Sequence, residues 1–206
     1  MSHRTTLIPH LTCRNASEGV EFYQKALGAE VLGVFKSPDG RVMNAALQID
    51  GVTFYLMDEM PEHGALSPLA LGGASVSLYL RVSDCDTLFA RAVAAGCTVK
   101  TPLQDMFWGD RYSLVEDPYG HRWEIATTIR KVSDRELKEV LSAMKACSEA
   151  KSLPTETQHR VVKVAVSRLS RRVSGFGRVR GRRSLPWITG CWNMKENNVR
   201  TCNTEL

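Results

Sequence analysis

The feature that most constrains the fold is an order of strands, helix and glycine turns that occurs twice along the chain. In the first half, a strand, a helix ending at Gly28 and three further strands follow one another, the last two joined by the tight turn Asp50-Gly51. The same order recurs in the second half, where Gly96 ends the helix and Gly120 lies in the last turn. Gly51 and Gly120 lie 69 residues apart, and the two helix-ending glycines lie 68 residues apart. This agreement predicts an internal duplication of a β-α-β-β-β unit.

Hydrophobic periodicity predicts where the elements lie. Strict alternation of apolar and polar residues over 76–82 is the clearest strand signal, and apolar residues at helical spacing follow Asn15, a typical helix N-cap. The segment Ser133-Asp134-Arg135-Glu136 is typical of a capping box and predicts a further helix over 133–148. The predicted strands are 5–13, 30–36, 41–49, 52–57, 76–82, 97–101, 111–116 and 121–127, and the first two helices begin near residues 15 and 84. The fold class is therefore α+β, with two βαβββ modules at about 5–60 and 74–130.

The net charge of +5 conceals an uneven distribution. Residues 151–206 contain 12 Lys and Arg against 3 Asp and Glu, whereas residues 1–150 contain 15 against 19. Arginines and glycines crowd together in this basic segment without a sustained apolar period, which favours a solvated extension of low order. A nucleic-acid-binding arm or a docking element for another surface stays open as an alternative. We expect one domain over 5–130, a C-terminal helix over 131–150 and a basic, low-order tail over 151–206.

Apolar segments and cysteines bear on the location of the protein. The longest apolar runs fall far short of the ~20 residues that cross a bilayer, and the N-terminus leads into no signal-like apolar region. The six cysteines form no CxxC pair and no metal-finger spacing, which indicates reduced thiols. These features argue against a membrane or secreted protein and predict a cytoplasmic one.

Short motifs occur in a characteristic order on the duplicated framework. They are Glu21-Phe22-Tyr23, Leu27-Gly28-Ala29 and Asp117-Pro118-Tyr119-Gly120-His121-Arg122-Trp123-Glu124. In order and spacing they resemble the vicinal oxygen chelate superfamily, which comprises glyoxalase, bleomycin-resistance and extradiol dioxygenase proteins. Ile8-Pro9-His10-Leu11, Pro38-Asp39-Gly40-Arg41 and Phe107-Trp108-Gly109-Asp110-Arg111-Tyr112 look like its PhnB-like, glyoxalase-related subgroup. The resemblance covers roughly residues 5–148 and implies paired modules that curl a mixed sheet into an open cup for a small molecule, often in a homodimer.

The resemblance also implies where a metal would be held, because metal-using members take ligands from the first and last strand of each module. The matching positions are Ile8, Tyr55, Ser77 and Glu124. One good ligand, Glu124, is too few for a stable Zn²⁺, Ni²⁺ or Fe²⁺ site, which needs three or more from His, Glu, Asp or Cys. Subgroup members often have histidine where this chain has Asn44. The ligand set of glyoxalase I is therefore incomplete, no metal ligand is assigned, and a divalent metal cofactor stays open.

Glu124 and His10 are the predicted catalytic residues. Strand parity predicts that Glu124 faces the cup and allows His10, two residues beyond Ile8 on the same strand face, to face it too. If the protein is an enzyme, we expect Glu124 to act as a general acid or base and His10 to be its partner. Several alternatives stay open. The two residues could instead form a metal site with only two ligands. His10 could only line the pocket or have a structural role, and Glu124 could form a salt bridge with Arg122 or Arg81.

The predicted substrate-binding residues combine aromatic rings and hydrogen-bonding groups. They are Tyr55, Ser77, Tyr79, Trp108 and Arg111. Trp108 could stack on a planar ligand while Arg111 makes a forked contact to an anionic one. The alternative for Arg111 is a salt bridge at a dimer seam.

The resemblance implies a glyoxalase-like small-molecule-binding protein. It is either a lyase or isomerase acting on an oxygenated substrate or, because the metal-ligand set is incomplete, a non-catalytic protein that sequesters a drug or metabolite as bleomycin-resistance proteins do. Whether it is an enzyme stays open. The expected partners are a small-molecule ligand and a second copy of the chain, with nucleic acid only through the tail and no membrane.

Overall fold

Each half of the chain folds into its own four-stranded sheet. The structure, a computed structural model, describes residues 5–150. The first half contains β1 (His10–Cys13), α1 (Ala16–Leu27), β2 (Glu30–Lys36), β3 (Val42–Ile49), β4 (Val52–Asp58), a 3₁₀ turn (Pro61–His63) and α2 (Pro68–Leu71). The second contains β5 (Ser77–Arg81), α3 (Cys85–Ala95), β6 (Thr98–Asp105), β7 (Asp110–Glu116) and β8 (Arg122–Thr128), followed by α4 (Asp134–Ala150).

The two sheets have the same topology. The strand orders are β1-β4-β3-β2 and β5-β8-β7-β6. In each sheet the first and last strands of the module pair in parallel, and the other neighbours pair antiparallel. This repeated mixed topology confirms the α+β class and the duplicated βαβββ module.

The two long helices of the modules begin and end in the same way. The side chain of Asn15 accepts a hydrogen bond from the backbone N–H of Glu18 (3.3 Å), and Asp84 caps α3 with the same geometry. Gly28 and Gly96 end the helices with positive φ angles of 68° and 117°, a conformation that glycine adopts without steric cost. The cap residues therefore explain why the two predicted helices form where they do.

Aromatic rings from both modules meet in one core. The ring of Tyr23 on α1 lies 5.5 Å from Phe54 on β4 and 5.6 Å from Trp123 on β8, and Phe54 lies 5.7 Å from Trp123. The three side chains are at most 4% exposed, and α1 packs against α3. Both sheets therefore turn one face toward the same core. Their opposite faces are directed away from that core.

A buried carboxylate links the modules within this core. Asp117 accepts hydrogen bonds at Oδ2 from the hydroxyl of Tyr23 (2.6 Å) and the indole N–H of Trp123 (2.9 Å). At Oδ1 it accepts the backbone N–H groups of Tyr119 and His121, both at 2.9 Å. Because Tyr23 belongs to the first module and the other donors belong to the second, this network joins the two halves of the chain.

His121 adds a second link between the modules. Its Nε2 donates to the backbone carbonyl of Thr12 on β1 at 3.1 Å, and the residue is buried. Burial lowers the pKa of His121, and the negative charge of Asp117 opposes that shift. The neutral imidazole is therefore the form that suits this position, and the residue acts as a structural histidine.

The structure differs from the sequence-based prediction mainly in short elements. The first strand covers 10–13 instead of 5–13, β6 extends to Asp105, and α2 was not predicted. Ser67 caps α2 by accepting a hydrogen bond from the N–H of Ala70 (3.4 Å), and Pro68 occupies its first turn. A helix of four residues is too short to produce a helical period in the sequence.

The chain divides into two units after Lys131, and α4 belongs to the second. The Ser133 hydroxyl accepts a hydrogen bond from the N–H of Glu136 (3.3 Å), as the predicted capping box requires. Among residues 5–150, no helix combines the length and the apolar character needed to cross a bilayer. The predicted basic tail, 151–206, and its nucleic-acid alternative lie outside the described residues.

Candidate functional site

The outer face of the second sheet carries three of the predicted site residues, Ser77, Tyr79 and Glu124. Trp123 and Ile125 of β8 are buried in the core, so the pleat directs Glu124 to the opposite face. Across the strands, Glu124 is the register partner of Tyr79 on β5 and of Leu114 on β7. We call this surface the Glu124 face; it comprises Ser77, Tyr79 and Arg81 of β5, Arg122, Glu124 and Ala126 of β8, and Asp110, Tyr112, Leu114 and Glu116 of β7.

Glu124 is half-buried at the centre of this face and accepts a hydrogen bond from a phenol. The hydroxyl of Tyr112 donates to Oε2 of Glu124 at 3.1 Å. Burial and the neighbouring Glu124 carboxylate raise the pKa of Tyr112 to about 12. The phenol therefore stays protonated at neutral pH and keeps donating to Glu124.

The two arginines of the face have carboxylate partners other than Glu124. Nη2 of Arg81 lies 3.5 Å from Oδ2 of Asp110, and Nε of Arg122 lies 3.7 Å from Oε2 of Glu116. Within the described part of the chain, Glu124 forms no ion pair. The salt bridge to Arg122 or Arg81 that the sequence left open is therefore not formed.

Asp110 is the second carboxylate of the face, and it is 6% exposed. It accepts hydrogen bonds from the hydroxyls of Tyr79 (2.9 Å) and Thr128 (2.7 Å). These two bonds and the Arg81 contact satisfy the buried charge. Asp110 therefore holds the Tyr79 ring in place.

Three aromatic side chains form a wall beside the carboxylates. The ring of Tyr112 lies 6.3 Å from that of Tyr79 and 5.7 Å from that of Trp108. Gly109, with a φ of 97°, makes the turn that brings Trp108 back over β7. These contacts give the Glu124 face aromatic surface next to a carboxylate without an ion pair, an arrangement suited to binding a flat or cationic molecule.

The uncovered face of the first sheet carries an apolar cleft. Its volume is about 340 Å³, and it is lined by Leu32, Gly33, Val34, Phe35, Asn44, Ala46 and Tyr55. The side-chain oxygen of Asn44 is buried and has no hydrogen-bond partner within residues 5–150. This cleft is therefore a second candidate surface for a ligand, with one amide in an apolar setting.

His10 lies beside this cleft, on the first sheet. It is the register partner of Tyr55, and the two rings meet edge to face at 5.7 Å. Burial lowers the pKa of His10, although a hydrogen bond with the backbone of Leu56 opposes the shift. The predicted catalytic pair is thus divided between the two sheets, with His10 on the first and Glu124 on the second.

Arg111 is not part of the Glu124 face. It alternates with Asp110 and Tyr112 along β7, so its side chain emerges on the opposite side of the sheet. Nε of Arg111 lies 2.6 Å from Asp86 at the start of α3, and Nη1 lies 2.9 Å from Asp105. Hydrogen bonds to these two carboxylates raise the pKa of Arg111. Ser77, Tyr79, Trp108 and Glu124 are brought together, whereas Arg111 is committed to this ion-pair cluster.

Tyr112 and Asp110 were missed as site residues by the sequence reasoning. The signal lies in the turn that begins at Asp117, because antiparallel pairing through that turn brings Leu114 opposite Glu124 and Tyr112 opposite Ala126. Counting back from the turn would have identified Tyr112 as a neighbour of Glu124.

The residues present do not fit the metal centre of metal-using members. Of the four matching positions, Ile8 has no ligating atom, Tyr55 and Ser77 offer only hydroxyl groups, and Glu124 is the one carboxylate. Within residues 5–150, no three side chains of His, Cys, Asp or Glu are grouped so that they could hold a metal ion.

Known proteins similar to this chain agree with its architecture. The model of the Glyoxalase/Bleomycin resistance protein/Dioxygenase superfamily matches residues 4–125. An uncharacterized protein of Mycobacterium tuberculosis (strain ATCC 25618 / H37Rv), Rv0887c, is 41% identical over 140 residues, which cover 66% of this chain and 82% of that protein. The crystal structure of protein PA1353 from Pseudomonas aeruginosa is 20% identical, with a TM-score of 0.51, and the match covers 60% of this chain and 98% of that one.

A further solved structure is similar to this chain. A putative 3-demethylubiquinone-9 3-methyltransferase, the PhnB protein from Bacillus cereus, is 16% identical with a TM-score of 0.47, and the match covers 60% of this chain and 99% of that one. The family match spans more than half of the chain, and the duplicated module agrees with it. This chain therefore belongs to the Glyoxalase/Bleomycin resistance protein/Dioxygenase superfamily.

Proposed function

We propose that this protein binds a small organic molecule on the Glu124 face. One observation carries the proposal: Glu124 is half-buried, accepts one hydrogen bond from Tyr112 and forms no ion pair within residues 5–150. A partly buried carboxylate is stabilised by a cation or a hydrogen-bond donor at each oxygen, and Tyr112 contacts only Oε2 of Glu124. A ligand that contacts the free oxygen of Glu124 would supply that partner, and the aromatic wall would bind its flat part.

We further infer that two copies of the chain associate to complete the cup. The support is that each sheet directs its second face away from the shared core and exposes aromatic side chains there, Phe35 (67% exposed) on the first sheet and Tyr79 (46%) on the second. Leu32, Val34 and Phe35 beside the cleft are 55%, 45% and 67% exposed, which is an unusual amount of apolar surface for one strand. If this surface of each copy packs against the Glu124 face of the other, His10 of one copy would approach Glu124 of the other.

Replacing Trp108 tests whether the Glu124 face binds the ligand. The probe is N-phenyl-1-naphthylamine, an uncharged aromatic molecule whose fluorescence rises in an apolar site. We expect saturable binding to the full chain and about tenfold weaker binding to Trp108→Ala, because the substitution removes one ring of the aromatic wall. Trp108→Phe keeps an aromatic ring and should bind the probe with an affinity close to that of the unchanged protein.

Equal affinity for the unchanged protein and Trp108→Ala would contradict binding on this face and would indicate the cleft of the first sheet instead. The solution mass of the unchanged protein is measured by light scattering in the same samples. We expect the mass of two 22.9 kDa chains. The mass of a single chain at the concentrations that bind the probe would exclude the two-copy cup.

A second candidate function is catalysis with Glu124 as general base. It is favoured by the free Glu124 oxygen next to the Tyr112 hydroxyl, since a carboxylate that can accept a proton beside a protonated phenol could move a proton on an oxygenated substrate.

The test incubates the protein with the hemithioacetal of methylglyoxal and glutathione. If the protein is an enzyme on this substrate, conversion should fall at least 100-fold in Glu124→Gln. Recovery of unchanged hemithioacetal bound to the protein would favour sequestration.

A further inference from the structure

The charges of the Glu124 face indicate what kind of ligand it selects. We infer that the ligand is an organic cation, such as a protonated or quaternary amine, with an aromatic or other flat apolar part. This inference rests on the proposed function of the face and adds the chemical class of the ligand to it.

The charge without an ion-pair partner on this face is negative. Asp110 is satisfied by the hydroxyls of Tyr79 and Thr128 and by its contact with Arg81. Glu116 lies 2.9 Å from Nζ of Lys100 and 3.7 Å from Nε of Arg122. Glu124 remains, with a phenol hydroxyl as its hydrogen-bond donor and no cation within the described residues. A positively charged group would complete the pairing that every other carboxylate of the face already has.

The aromatic wall reinforces the preference for a cation. The faces of aromatic rings carry partial negative charge and attract cations within about 6 Å of the ring centre. The protein already contains one example, because Cζ of Arg81 lies 5.6 Å from the centroid of the Tyr79 ring. Tyr112, whose hydroxyl reaches Glu124, and Trp108, 5.7 Å from the Tyr112 ring, present further ring surface on this side. A ligand cation there would meet a carboxylate and aromatic rings together.

An anionic ligand is the main rival, since Nε of Arg122 is buried and donates no hydrogen bond within residues 5–150. That nitrogen lies 3.7 Å from Oε2 of Glu116, and Glu124 is two residues away on the same strand face. An anion approaching Arg122 would therefore face two carboxylates. The surroundings of Arg122 thus favour a cation over an anion.

The experiment compares three small ligands of similar shape. Phenyltrimethylammonium carries a positive charge, tert-butylbenzene is its uncharged isostere, and benzenesulfonate carries a negative charge. Dissociation constants are measured with the full chain by ligand-detected NMR titration. We expect the cation to bind about tenfold more tightly than the uncharged isostere and the anion to bind most weakly.

Glu124→Gln keeps the shape of the side chain and removes its charge, so the preference for the cation should fall below about threefold. Glu21→Gln, which removes an exposed carboxylate on α1, is the matched control and should keep the tenfold preference. Equal binding of cation and isostere to the unchanged protein would overturn the inference while leaving the binding function intact. Tighter binding of benzenesulfonate would overturn it in favour of an anion. If none of the three binds, the proposed function of the face fails as well.

Discussion

Asp117→Asn is expected to lower the free energy of unfolding by about 3 kcal/mol. Asp117 accepts four hydrogen bonds, two at each carboxylate oxygen, and three of the donors are N–H groups that cannot rotate away. An asparagine amide must turn its NH₂ group toward one of these pairs. If the NH₂ group faces the backbone N–H groups of Tyr119 and His121, both of their bonds are lost. If it faces the other pair, it meets the fixed indole N–H of Trp123, and only the Tyr23 hydroxyl can rotate to accept from it.

The effect can be measured by urea unfolding monitored by circular dichroism. Tyr23→Phe removes one of the four bonds and should cost about 1.5 kcal/mol. Glu21→Gln changes an exposed carboxylate on the same helix as Tyr23 and should leave stability unchanged within about 0.5 kcal/mol. If the Asp117→Asn variant is as stable as the Glu21→Gln control, the buried network does not join the modules as described.

Gly120→Ala is expected to destabilise the protein by about 2 to 3 kcal/mol. Gly120 has a φ of 87° and is buried in the turn before β8. A Cβ atom there would lie 3.1 Å from Cβ of Pro68 and 3.3 Å from the backbone nitrogen of Leu69. The substitution therefore combines an unfavourable backbone conformation with contacts against α2 that cannot move aside easily.

Gly40→Ala is the matched control for this prediction. Gly40 has nearly the same φ, 89°, but an added Cβ would meet nothing within 4 Å. Its cost should be about 1 kcal/mol and should report the backbone conformation alone. The difference between the two variants in thermal or urea unfolding measures the contact with α2. Equal losses for both would contradict the close packing of that segment on the turn.

Much of the fold was accessible from the sequence because the governing signals are local. Alternation along β8 predicted the face on which Glu124 lies, and its neighbours Trp123 and Ile125 are buried in the core on the opposite face. The caps at Asn15 and Gly28 set the ends of α1 through hydrogen bonds within a few residues. Such features depend on neighbouring residues and survive in any tertiary context compatible with the secondary structure.

The arrangement of the candidate site depended on contacts that periodicity does not encode. Strand parity gives the face on which a side chain lies, but it does not say which faces of two modules come together. His10 and Glu124 therefore had the predicted parity yet lie on different sheets. Arg111 is engaged by Asp86, 25 residues earlier at the start of α3, and a pairing over that distance leaves no local sign in the sequence.

The alternation of core and uncovered residues along β8 also has an evolutionary consequence. Trp123 and Ile125 maintain the core. Glu124, between them, lies on the outer face of the sheet and takes no part in that packing. If the Glu124 face binds the ligand as we propose, substitutions at Glu124, Tyr79 or Tyr112 would change which molecule is recognised and preserve the packing that holds the modules together. Gene duplication followed by divergence on this face would let descendants acquire new ligands without first losing their fold.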